Sequence, residues 1–436
     1  MSFSKLAVNN MERYANMKDT ELTWLGNIPC EWELSTISAL YNLRNEKVSD
    51  KDYAPLSVTK QGVVPQLASA AKSDDSDNRK LVKKGDFVIN SRSDRRGSCG
   101  ISEYDGSVSL INTVLRPKGK MHPGYYNWLF HTVAFADEFY KWGRGIVDDL
   151  WTTRWQEMKQ IVIPVPTYDE QKEIASYLDT QCDSIDVMIT QTKESIEDYK
   201  RWKYSLISET VTKGINKYVE LKPSGVELIG NIPINWDIIR FKYIATDVSK
   251  GVGITKEDIK EDGESPCVRY GEIYTQYNFH FDECKSKTNK DCVSQPRYFS
   301  YGDILFTCTG ELVEEIGKAV VYLGNEKCMA GGDIIIATHK QDPIFMSYAL
   351  NSNYAQSQRS CGKAKLKVVH ASAYDINNTI MAMPPLKEQQ IIGKYLDKKC
   401  TKIDSIIAEK EALIQDLELY KKSLIHEVVT GKRKVV

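Results

Sequence analysis

The chain contains itself twice. Trp24-Leu-Gly-Asn-Ile-Pro-Cys-Glu-Trp32 returns as Leu228-Ile-Gly-Asn-Ile-Pro-Ile-Asn-Trp236 after 204 residues, and Pro166-Thr-Tyr-Asp-Glu170-Gln171 returns as Pro384-Pro-Leu-Lys-Glu388-Gln389 after 218. From this second mark the match runs without a gap, Pro166 to Thr212 onto Pro384 to Thr430. A period of about 210 residues is far too long for a solenoid repeat, so each copy is a whole domain with an appendage. A chain built as two similar halves suits gripping two similar things, or one partner with internal symmetry.

Each half has the same three parts. An opening motif, Gly26-Asn-Ile-Pro29 with Trp32 or Gly230-Asn-Ile-Pro233 with Trp236, marks a turn and supplies a core anchor. A body follows in which Gly85-Asp86 introduces a strand at Phe87–Asn90 and Gly302-Asp303 one at Ile304–Thr307. Further strands are expected at Val108–Leu115, Ala319–Leu323 and Ile334–Thr338, with helices at Gly124–Tyr140 and Pro343–Gln358. The two bodies share little sequence beyond these marks, and the second is 14 residues longer. Like scaffolds with different interiors suggest one task performed on two targets.

The third part is a long helix. Aligned at 218, residues 166–214 and 384–432 share 20 identities in 49 positions. Ile403, Ile406, Leu413, Leu417, Tyr420 and Leu424 fall on a heptad stripe that Lys410 interrupts; the first copy places Ile185, Met188, Thr192, Ser195, Tyr199, Trp202 and Leu206 at the same steps. One amphipathic helix cannot bury its stripe alone, and two copies in one chain most economically pack on each other. The expected fold is therefore α+β: two mixed α/β bodies held apart by two long antiparallel helices forming a coiled coil, with an internal pseudo-two-fold repeat. A helix of about 40 residues would make a rod of roughly 60 Å.

Composition narrows the class. Lys+Arg number 58 against Asp+Glu 59, a net charge of −1, which argues against a protein that coats DNA but not against one with focused basic patches. The ten cysteines form no Cys-x-x-Cys pair, so reduced, metal-free thiols are expected, with Cys182 and Cys400 packing at equivalent helix positions. No run of 18 apolar residues and no signal-peptide layout are present, and a cytoplasmic protein without membrane contact is expected.

These motifs together resemble the specificity subunit of type I restriction–modification enzymes: Gly-x-Ile-Pro-x-x-Trp, a Gly-Asp-Ile-Leu-Phe type strand at Gly302, a Pro-x-x-x-Glu-Gln exit and a long helix, all in duplicate. The resemblance spans about residues 12 to 432. Departures are Tyr168-Asp169 in the first exit, Ala382-Met-Pro-Pro385 in the second, and Asp86-Phe-Val-Ile-Asn-Ser-Arg92 in the first body's strand, so residue-level transfer is looser in the first domain. The resemblance implies target recognition domains at 20–165 and 224–383 and spacer helices at 166–214 and 384–432. The remaining segments are an N-terminal piece at 1–19, a linker at 215–223 and a tail at 433–436. It further implies a split DNA target read as double-stranded DNA, two methylation subunits and restriction–motor subunits as partners, and S-adenosylmethionine, ATP and Mg carried by those partners with no cofactor on this chain.

Base reading needs hydrogen-bonding groups on loops that reach a groove, with phosphate contacts fixing the register. Arg92, Ser93, Arg95 and Arg96 form the densest set, and Arg144 lies on a second loop, Trp142 to Asp149. In the second body Lys363, Lys365 and Lys367 share one face if extended; Arg269, Thr307 and Thr309 are further candidates. Candidates for partner binding are the repeated helix residues Glu170, Gln171, Asp179, Asp186 and Lys203 with their images Glu388, Gln389, Asp397, Asp404 and Lys421, whose repetition equally fits capping and helix pairing.

No catalytic motif stands out, and no catalytic residue is assigned. Pro384-Pro385 lacks the polar and aromatic neighbours of an amino-methyltransferase loop, and Gly310 with Gly317-Lys318-Ala319 does not make a P-loop. Asp303, Glu311, Glu314 and Glu315 near Lys318 have unremarkable spacing for a nuclease. A non-catalytic subunit is expected. The competing reading, a coiled-coil adaptor for proteins alone, leaves the Arg- and Lys-bearing loops unexplained.

Overall fold

The computed structural model describes residues 13–66, 77–145, 151–310, 317–360 and 369–435. The chain forms two compact units, one of Met1–Thr192 with Ala412–Val436 and one of Lys193–Glu411. Each unit thus takes in one body and a stretch of both long helices.

In the first unit the central sheet is antiparallel. Strands β1 (Tyr41–Arg44), β2 (Phe87–Asn90), β3 (Cys99–Ile101) and β4 (Asn112–Pro117) lie in the order β3-β2-β4-β1. Phe87, Val88 and Ile89 are all buried, as befits a middle strand covered on both faces. The turn before it is built as its residues dictate. Gly85 takes φ +88°, and the Asp86 carboxylate accepts the Lys83 amide and pairs with Arg44 Nε at 2.6 Å. Helices α1 (Pro123–Phe130) and α2 (Val133–Lys141) follow, and α3 (Tyr168–Lys213) is the first long helix.

In the second unit β5 (Ala245–Lys250), β6 (Ile304–Thr307), β7 (Ala319–Tyr322) and β8 (Ile334–His339) stand in the order β7-β6-β8-β5. The order is that of the first unit, with the strand His280–Phe281 added parallel to β7. Gly302 takes φ +86° and Asp303 accepts the Ser300 amide at 2.8 Å, repeating the turn of the first unit. Helices α4 (Pro343–Leu350) and α5 (Asn353–Ser360) lead to α6 (Leu386–Val429).

Three expected elements divide. Val108–Leu115 breaks at a turn in which the Asn112 amide returns to Ser109 O, so Gly106–Val108 joins another sheet. Gly124–Tyr140 breaks at His131, because Thr132 caps a new helix by accepting the Phe135 amide at 3.1 Å. Pro343–Gln358 breaks at Asn351, whose side chain bonds both backbone groups of Ala319 on the neighbouring strand.

The heptad stripe is shifted by one residue at alternate steps. Ile189, Ile196 and Lys203 are buried, whereas Met188 and Trp202 are exposed; Ile407, not Ile406, is buried in the second copy. Each helix is covered by its own body as well as by the facing helix, so the buried face is wider than a two-helix seam and centred differently. Ile174, Leu178, Ile185 and Ile189 join the first unit's core with Leu417 and Leu424, and Ile207, Ile392, Leu396 and Cys400 join the second. Cys182 and Cys400 are buried packing thiols, and all nine described cysteines are free.

Both opening tryptophans are core anchors, less than 2 % exposed. Strand Glu33–Thr36 pairs with the exit strand Val162–Val165, and Asp237–Arg240 with Ile380–Met383, so entry and exit of each body meet at the root of a helix. The helix ends also need glycine. Gly214 and Gly431 take φ +76° and +70°, and a Cβ on Gly431 would lie 2.2 Å from Pro29.

Candidate nucleic-acid interface

The ten repeated helix residues have internal partners. Gln171 Nε2 donates to Pro166 O while its Oε1 accepts the His122 amide; Gln389 Nε2 donates to Pro384 O while its Oε1 accepts the Asp342 amide. Both glutamines clamp the first turn of a long helix to the start of the body's helix pair. Glu170 accepts from Tyr14, and Glu388 from Trp236 Nε1 at 3.1 Å. Asp179 accepts from Trp128 on α1, and Asp397 from Tyr348 and His280. Lys421 pairs with Asp186 at 2.6 Å in the first unit, and Lys203 with Asp404 at 2.6 Å in the second. Gln171, Gln389 and Lys203 are buried, so these three are corrected from surface groups to interior ones; their repetition reflects docking of each helix.

The arginine loops of the first body, 52 residues apart in sequence from Arg92 to Arg144, come together through a short ladder. Beyond β2 the Thr153 amide donates to Ser91 O at 3.0 Å and the Ser93 amide to Trp151 O at 3.1 Å. On its other side Thr152 exchanges two 3.0 Å backbone bonds with Arg144. Gly143 is required there: a Cβ would lie 2.1 Å from Trp151 Nε1, which donates to Tyr140 O.

Arg92, Arg95, Arg96 and Arg144 are exposed, and Ser93 is half-buried. Arg96 pairs with Asp137, Arg95 with its neighbour Asp94, and Arg144, 84 % exposed, with Glu157 at 3.3 Å. The Arg95 and Arg96 pairs, exposed on both sides, are weak enough for a phosphate to displace the carboxylate. Arg154, exposed one residue past the ladder, was missed by the sequence reading. Only the non-local pairing of Thr152 reveals its proximity.

The second unit repeats the ladder. Ala371 donates to Cys308 O at 2.7 Å, and Thr309 pairs with His370. Thr309 is thus the counterpart of Arg92. Lys363, Lys365 and Lys367 lie outside the described residues. Two candidates are corrected. Thr307 is wholly buried in the middle strand and cannot reach a groove. Arg269 Nη2 is spent on the buried carboxylate of Glu272 at 3.1 Å, whose other oxygen accepts the Arg269 amide at 2.8 Å at the start of the helix Tyr270–Thr275. Lys318 Nζ donates to Tyr277 O and Asp303 serves its turn. Among the described residues no three His, Cys, Asp or Glu side chains converge as a metal would need, and no helix is long and apolar enough to cross a membrane.

Fold and ladders define an α+β protein with two bodies of like strand order, the first presenting arginines from its ladder. Residues 29–198 match the family of the type I restriction modification DNA specificity domain. The chain is 24% identical over 455 residues to the putative type I restriction enzyme MjaX specificity subunit of Methanocaldococcus jannaschii, covering 96% of this chain and 97% of that one. It is also 24% identical over 352 residues to the MjaVIII specificity subunit of the same organism, covering 76% and 75%. A solved chain from a study of assembly and conformational transition in the type I R-M system has the same fold, with TM-score 0.69 at 13% identity over 92% of this chain and 98% of that one. Residues 29–198 thus carry a type I restriction modification DNA specificity domain, and over almost its full length the chain is similar to specificity subunits of type I restriction enzymes.

Proposed function

We propose that the chain reads a bipartite sequence in duplex DNA, one part with each unit, and that its long helices pair as an antiparallel coiled coil that fixes the gap between the parts. The carrying observation is a framework repeated strand for strand, ending in a ladder that bears arginines in one unit and Thr309 with His370 in the other. Within the second unit Tyr199 meets Lys410 and Lys203 meets Asp404, the order of two helices running in opposite directions. Asp186 and Lys421 are the images of Asp404 and Lys203 at the repeat offset of 218, which supports a pseudo-two-fold pairing.

Methylation and cleavage are then the work of bound subunits. Two methylation subunits would dock on the two equivalent halves, restriction–motor subunits would join through that complex, and S-adenosylmethionine, ATP and Mg would reside on them, in the cytoplasm. The test is an insertion or deletion of four residues in α3. A shift of about 6 Å along the helix, nearly two base pairs, should alter the gap and leave both half-sites unchanged. Altered bases at a fixed gap overturn the ruler. An adaptor without DNA specificity would show little loss of binding between 50 and about 200 mM salt, where a phosphate-contacting reader loses affinity steeply.

A further inference from the structure

Arg359, near the end of α5, is wholly buried, and its Nε and Nη1 have no hydrogen-bond partner. Nη2 donates to Leu350 O at 2.5 Å, and the guanidinium lies 5.9 Å from the centroid of the Phe306 ring. Among the described residues no carboxylate pairs with it; burial dominates and pushes the guanidinium pKa down to about 10. A buried charge without a counterion destabilises a fold, and apolar replacements at such places are commonly neutral or stabilising. The repeat supplies that comparison: the corresponding position in α2 is Phe139, also wholly buried. The first unit therefore builds the same framework with a phenyl ring in this place.

The position of Arg359 suggests its use. A Cβ on Gly317 would lie 2.9 Å from Nε, and the same Cβ would touch Ala371, the residue that closes the ladder on Cys308. At the counterpart Gly97 nothing lies within 4 Å. Gly317 thus lies between the side chain of Arg359 and Ala371, the residue that follows the Thr309–His370 pair. In the first unit the same rung and its neighbours carry Arg92, Arg144 and Arg154.

We propose that Arg359 is a positioning charge for the second unit: held beside Gly317 at the Cys308–Ala371 end of the ladder, it draws the DNA phosphate backbone to that edge. It does from the interior what surface arginines do in the first unit. This rests on the DNA-reading function proposed above.

The test uses the assembled methylation complex and duplexes carrying the sequence methylated in the host, with either half-site intact or scrambled. Arg359→Met removes the charge and keeps the apolar bulk; Arg359→Lys keeps a charge. One charge acting through about 10 Å of protein is worth roughly tenfold in affinity. Arg359→Met should melt at or above the wild-type temperature yet bind the intact target about tenfold more weakly, with the gap narrowing as salt rises. The loss should disappear when one particular half-site is scrambled and persist when the other is, and Arg359→Lys should restore most of it. Wild-type affinity in Arg359→Met, or an equal loss in both variants with a parallel fall in melting temperature, overturns the proposal and leaves Arg359 a cap for α4. If the wild-type complex does not distinguish intact from scrambled duplexes, the DNA-reading function itself fails, and this proposal with it.

Discussion

Gln171 and Gln389 show how a repeated polar residue misleads at the scale of one side chain. In sequence each is a polar group in the first turn of a surface helix, yet each is buried and bonded at both ends of its amide. Gln389 Nε2 also donates to Gln341 at 2.8 Å. Leucine in its place would leave Pro384 O and the Asp342 amide without partners, at a cost of about 2–4 kcal/mol. Gln389→Leu should therefore lower the melting temperature of the second unit by roughly 5–12 °C in a calorimetric scan. A shift under about 2 °C would mean that water replaces the amide at both groups. The arginine loops were legible as charge near a strand end, but their meeting was not. It depends on Thr152 bonding across to Arg144, a non-local pairing that no local pattern encodes.

The long helices were legible almost to the residue, 166–214 against Tyr168–Lys213 and 384–432 against Leu386–Val429, because proline fixes the start and glycine the end. Their buried face was not, since a stripe drawn from apolar residues alone prefers Trp202 and passes over Lys203. Lys203 takes the interior place because Asp404 neutralises it there. The two image pairs should therefore differ in weight. The Lys203 side chain is 9% exposed and that of Lys421 24%. Asp404→Ala strands a nearly buried cation and should cost about 2–3 kcal/mol, while Asp186→Ala should cost less than about 1 kcal/mol. Urea titrations of both variants, following the first transition, compare them. Equal effects would mean that Lys203 escapes to solvent once Asp404 is gone.

Across the whole chain, the near balance of 58 basic and 59 acidic residues hides titration behaviour that only burial reveals. His339 in the second unit and His426 in the first both have their pKa lowered, chiefly by burial, and Lys432 adds to the effect at His426. At His339 burial outweighs the nearby Asp303 and Asp342 carboxylates, which act in the opposite direction, and Nδ1 accepts the Gln341 amide at 3.0 Å. The sign follows from linkage. Above the ordinary histidine value of about 6.5 both folded and unfolded forms are neutral, and nothing is gained or lost. As pH falls through that value the unfolded chain takes up protons that the folded chain refuses, so stability declines until the lowered folded value is reached. The depressed carboxylates Asp105 and Asp258 would act near pH 4, but both are fully exposed and screened, so they leave the decline between pH 7 and 5 to the histidines. Melting temperatures recorded at half-unit steps should therefore fall over that interval, and the double variant His339→Gln, His426→Gln should flatten the fall. A slope unchanged in the double variant would assign the acid sensitivity to other groups, and a slope of opposite sign would mean that the folded chain binds the extra protons.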